Sequence, residues 1–93
     1  MTLTAQNFLF DKKTITVPSG STVVMTFINK DAGVPHNFAL YTDSTATKKI
    51  FSGEIITGVN TATYTFTAPS APGNYFFRCD VHPTVMFGTF VVT

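Results

Sequence analysis

The chain has 93 residues, 44% of them hydrophobic and only 12% charged, with six Lys and Arg against five Asp and Glu for a net charge of +1. That length fits one domain, residues 1–93, with its own apolar core, and the near-neutral balance excludes a basic stripe for nucleic acid. No apolar run approaches the roughly 20 residues of a bilayer span, the start "MTLTAQNFLF" lacks the basic and apolar regions of a signal peptide, and the single cysteine excludes an internal disulfide.

In chain order, an edge strand is expected near residues 3–10. "TITV" at 14–17 reads as a strand that ends in the turn "PSGS", where Pro18 and Gly20 supply the fixed and permissive torsions of a reversal. Across that turn "STVVMTFIN", 21–29, is β-branched and aromatic, with Val23, Met25 and Phe27 as its buried set. "DAGVP" leads into a strand "HNFALY" that starts at His36. The polar segment 42–49 reads as a loop or a short helical turn. "TATYTFT", 61–67, is the clearest strand, because Ala62, Tyr64 and Phe66 alternate strictly with threonines. "NYFFRC" from Asn74 and "TFVVT" at the end complete the set. Short strands split by Gly/Pro turns, without a long helical pattern, predict an all-β fold, a small antiparallel or mixed sandwich.

Parity along the strands selects the residues that carry chemistry. His36 shares a face with Phe38 and Leu40, and Cys79 shares one with Tyr75 and Phe77, so both point into one end of the core. His82 and Met86 follow Cys79 in "CDVHPTVM", a short segment that must leave one strand before "GTFVV" begins the next. A loop there can fold three side chains around one point. Singly, each residue has an ordinary explanation: a lone cysteine as a small buried hydrophobe, a loop histidine, a hydrogen-bonded core-edge histidine, a gap-filling methionine. Jointly, a thiolate, two imidazoles and a thioether form the soft donor set of a blue-copper site, one Cys and two His with a weak axial Met. Zinc accepts Cys and His, but a thioether is not among its usual donors, so Met86 favours copper.

The segments "VPSGSTVVMTFIN", "GVPHNFAL" and "GNYFFRCDVHPTVMFGTFVV" resemble the cupredoxins, in particular the plastocyanin-like and amicyanin-like proteins, across nearly the whole chain. The resemblance implies a Greek-key β-sandwich of about seven to eight strands. It implies one mononuclear type 1 copper per chain, cycling between Cu(II) and Cu(I), held by His36, Cys79, His82 and axial Met86. Asn37, directly after His36, takes the position that ties the upstream strand to the ligand loop. Gly33, Val34, Pro35, Pro83, Val85 and Phe87 flank the two histidines, and some of them are expected to supply an apolar rim at the His82 edge, where transient redox partners would dock on a monomer. Family members work outside the cytoplasm, so a periplasmic or extracytoplasmic location is implied.

Two features depart from the family pattern. Pro83, Thr84 and Val85 make the His82 to Met86 spacing one residue shorter than in plastocyanin-like and one longer than in amicyanin-like proteins, and Arg78 stands where plastocyanins carry Tyr. An enzyme is not expected, because Glu54 is the sole glutamate, no Ser/His/acid set is evident, and a copper held by four side chains has no open position for substrate. A one-electron carrier is the leading expectation. A copper store or chaperone, a domain of a larger copper oxidoreductase, and a metal-free structural sandwich are the alternatives.

Overall fold

The alternation of Ala62, Tyr64 and Phe66 is realised as a long strand in the computed structural model, which describes all residues 1–93. The elements are β1 (Thr2–Gln6), β2 (Leu9–Phe10), β3 (Thr14–Val17), β4 (Thr22–Asn29), β5 (Pro35–His36), β6 (Ala39–Tyr41), β7 (Lys49–Ser52), β8 (Ile56–Thr57), β9 (Asn60–Thr67), β10 (Gly73–Arg78) and β11 (Phe87–Val92). No helix is long and apolar enough to cross a membrane. One sheet has the order β2-β1-β4-β9, the facing sheet β3-β11-β10-β6-β7, and β5 pairs with β8 in a small third sheet. Neighbours distant in sequence, such as β4 with β9 and β6 with β10, are the crossovers of a Greek-key sandwich.

The sandwich is mixed. β1 runs parallel to β4 and β3 parallel to β11, while the other ladders are antiparallel. β3 and β4 follow one another across the "PSGS" turn but belong to opposite sheets, so that turn is an arch between layers and not a hairpin. The two inner faces interdigitate as a phenylalanine core. Phe38 lies between Phe66 at 5.8 Å and Phe77 at 5.5 Å, and Phe51 stacks on Phe66 at 4.5 Å. Val23, Met25 and Phe27 are buried as their parity predicts.

Two local expectations are corrected. The region 3–10 is not one edge strand: Asn7 and Phe8 adopt left-handed torsions (φ 56 and 59°) and fold it into a two-residue hairpin between β1 and β2. "HNFALY" is not one strand either. Asn37 and Phe38 separate β5 from β6, which pair with different partners, and every residue from His36 to Tyr41 is buried, so the alternation of a one-sided strand is lost. The polar stretch after Tyr41 is a loop of turns and bends through residue 48, as expected, and at Lys49 it passes into β7, an edge strand whose half-buried Ile50 and Phe51 pack against the core. These splits and short additions bring the number of strand segments to 11.

Candidate metal centre

Cys79 is the residue that follows β10, and parity with Phe77 delivers its side chain to the interior, where it is fully buried. The chain then turns through Asp80 to Val85 and returns at Met86, also fully buried. The Cys79 amide donates to the Met86 carbonyl at 2.9 Å, one rung beyond the pairing of Arg78 with Phe87. Within the loop, the amides of Val85 and Met86 both donate to the His82 carbonyl, at 3.3 and 3.1 Å. The loop is therefore a closed turn whose two ends are strand rungs.

His36 arrives from β5 with its side chain fully enclosed. Its Nδ1 lies 3.7 Å from Cys79 Sγ, and its Nε2 lies 2.7 Å from Asp31 Oδ2. Bonds of about 2.3 Å to sulfur and about 2.0 Å to nitrogen, as at zinc, at angles of roughly 110–120° put two donors about 3.5–3.7 Å apart. The observed pair is at that separation. His82 sets its ring edge-on to His36, with centroids 5.0 Å apart, and its buried Nε2 has no protein hydrogen-bond partner. An orphaned buried imidazole nitrogen is an uncompensated cost that a metal ion would remove. The three do not form a closed cage, since no three His, Cys, Asp or Glu side chains converge as a metal-ready group. His36 and Cys79 are set as a pair, His82 stands one ring away, and Met86 is buried in the same core cluster as Cys79.

Around the donors, Asn37 acts as a clasp. Its Oδ1 accepts the amide of Asp80 at 2.8 Å, and its Nδ2 donates to the Gly53 carbonyl at 3.1 Å. Asp80 also accepts from the Tyr41 hydroxyl at 2.6 Å and from Arg78 Nε at 3.0 Å, while the Arg78 guanidinium lies 4.8 Å above the Tyr41 ring. Burial works against the Asp80 charge, but hydrogen bonds from Tyr41 and Arg78 outweigh it and hold the carboxyl below its usual range.

Two participants escaped the sequence reading. Asp31 accepts the amides of Asn7 at 2.7 Å and Phe8 at 3.0 Å besides meeting His36. Burial opposes its charge too, and the bonds from Phe8, His36 and Asn7 keep it below the ordinary carboxylate value. Phe8 sets its ring edge-on to both imidazoles, 5.7 Å from His36 and 4.9 Å from His82. Asn7, a polar turn former in an otherwise strand-like run, was the available signal for the hairpin; its arrival over the histidines depends on the pairing of β1 with β4.

Comparison with known proteins follows the same lines. A family model described as copper binding proteins, plastocyanin/azurin family, matches residues 1–93. Among solved structures, the sodium-dithionite-reduced auracyanin of the photosynthetic bacterium Roseiflexus castenholzii is 28% identical with a TM-score of 0.86, covering 99% of this chain and 94% of its own. Auracyanin A, a "blue" copper protein of the green thermophilic photosynthetic bacterium Chloroflexus aurantiacus, is 27% identical with a TM-score of 0.88, covering 100% of this chain and 97% of its own. Amicyanin from Paracoccus versutus, at 21% identity and a TM-score of 0.67 over 99% of this chain and 79% of its own, shares the fold. No curated protein sequence matches this chain.

Proposed function

This chain belongs to the plastocyanin/azurin family of copper-binding proteins, and from that membership we propose that its single domain, residues 1–93, holds one copper ion through His36, Cys79, His82 and an axial Met86. The chain is a small blue copper electron carrier of the cupredoxin type. The observation that supports the ligand set most is the buried pair of His36 Nδ1 and Cys79 Sγ at 3.7 Å, joined from residues 43 apart in sequence.

When bound, copper supplies a one-electron couple between Cu(II) and Cu(I). The protein's part is to present the donors in one arrangement. Cys79 and Met86 are fixed by the amide to carbonyl bond across the loop ends, and Asn37 fixes the backbone just after Cys79 against the segment just after His36. Donors held by two sheets move little when the ion changes charge, which lowers the barrier to transfer. Four side-chain donors leave no place for substrate, so the protein passes electrons and is not an enzyme.

Transient redox partners dock at the His82 end, where Phe8 and Val85 are 44% and 53% exposed and offer apolar contact. A net charge of +1 supplies no bulk steering toward nucleic acid; family membership is what supports a monomer working outside the cytoplasm. Loading the metal-free protein with Cu(II) tests the site. We expect an intense visible thiolate-to-copper band that Cys79→Ser abolishes, together with reversible one-electron voltammetry. A colourless Cu(II) complex would overturn the ligand set; a blue protein without reversible voltammetry would be a copper store.

A further inference from the structure

The loop between β4 and β5 is pinned before Asp31 begins to act. Asn29 accepts the Asp31 amide at 2.9 Å and donates to the carbonyls of Val34 and Ile56, which fixes the loop from both ends. From that platform Asp31 reaches three groups: Oδ1 takes the Asn7 amide, and Oδ2 takes the Phe8 amide and faces His36 Nε2 at 2.7 Å. Its side chain is only 11% exposed and that of His36 not at all. No Lys or Arg pairs with Asp31, since the other ion pairs are Lys12 with Asp11 and Arg78 with Asp80. The carboxylate charge thus has one ionisable neighbour, an imidazole whose other nitrogen faces Cys79 sulfur.

A carboxylate on one ring nitrogen determines which nitrogen carries the proton and makes the other a better donor. We propose that Asp31 is a positioning residue for the copper centre: Oδ2 holds His36 as the Nε2–H tautomer with the Nδ1 lone pair toward Cys79, and its negative charge lowers the reduction potential of the site. The inference rests on His36 being a copper ligand. In the metal-free protein this tautomer leaves Nδ1 to accept from the Cys79 thiol, consistent with their separation of 3.7 Å. The charge favours the oxidised ion because Cu(II) carries one more positive charge than Cu(I), and a mostly buried carboxylate is weakly screened by water. The turn alone does not account for this placement. Amides of an exposed hairpin can be satisfied by water, whereas the enclosed Nε2 of His36 can reach only Asp31.

Asp31→Asn keeps an oxygen acceptor for His36 and removes the charge, at the loss of one turn bond. In the copper-loaded variant we expect the visible band to remain and the midpoint to rise, favouring Cu(I) about tenfold, or about 59 mV for one electron. A merely structural role would lower the unfolding midpoint and leave the potential where it was. Nitrogen-15 NMR of the wild-type, metal-free chain in alkaline solution reads the tautomer directly, with Nε2 protonated and Nδ1 bare as the expected result. That measurement keeps the proposal refutable even where Asp31→Asn fails to fold. An unmoved midpoint in a blue variant, or a wild-type His36 protonated at Nδ1, overturns the proposal and leaves the copper site standing. A wild-type chain that takes up Cu(II) without a thiolate band overturns the ligand reading, and the proposal with it.

Discussion

Asn37 extends with its side chain the ladders in which β6 pairs with β10 and with β7. Its amide bridges the Asp80 backbone, next to Cys79, and the Gly53 carbonyl, from a position next to His36. Asn37→Ala leaves one donor and one acceptor without partners, and removal of half of a buried hydrogen bond costs about 1–3 kcal/mol. We expect the denaturant midpoint to fall accordingly, and copper affinity in competition with a chelator to drop about 10–100-fold because Cys79 is no longer held relative to His36. Asn37 was legible in the sequence from its place after His36; Asp31 was not. The bond from Asp31 to His36 depends on how Asn29 ties down the intervening loop, and nothing in "NKDAGVPHN" distinguishes that from an ordinary solvated aspartate. Phe8 was hidden for the opposite reason, because a bulky side chain in the left-handed region runs against its own preference. The two amides bound by Asp31 help to hold that conformation.

At the level of elements, the ligand loop owes its position to how closely β11 approaches β10 and β3. Gly88 pairs with Phe77, and a Cβ built there would lie 2.5 Å from both the Lys13 carbonyl oxygen and the Phe77 ring. That carbonyl accepts the Thr89 amide at 2.9 Å, so relief of the clash would separate β3 from β11. Gly88→Ala should therefore destabilise the fold by about 1–3 kcal/mol, seen as a lower denaturant midpoint at unchanged m. Strand periodicity was readable wherever one face meets water, as in β9, with buried Tyr64 and Phe66 between exposed threonines. It also gave the inward direction of Cys79 from Phe77. It failed for β5 and β6, where burial on both faces removes the alternation, although the burial of His36 that it implied is correct.

For the molecule as a whole, the proposed copper binding and folding draw on the same contacts, since His36 comes from the β5–β8 pair while Cys79 and Met86 flank the β10–β11 ladder. Anything that binds the native state alone stabilises it by mass action, about 2.7 kcal/mol at a free concentration of 100 times Kd. Zn(II), a redox-silent probe for the Cys and His donors, should accordingly raise the melting temperature by about 10–20 °C at that excess, and Cys79→Ser should remove most of the rise. Calorimetry of the two proteins with and without metal checks both statements. The parallel pairing of β3 with β11 sets the order in which this can happen. Residues 14–17 find their neighbours in 89–92, so the five-stranded sheet stays open along β3 until that long-range pairing forms. Cys79 and Met86 frame the loop that leads into β11, so a chain in which β11 has not yet found β3 has these side chains present but not framed, and a long-range strand pairing sets how soon the site can hold an ion.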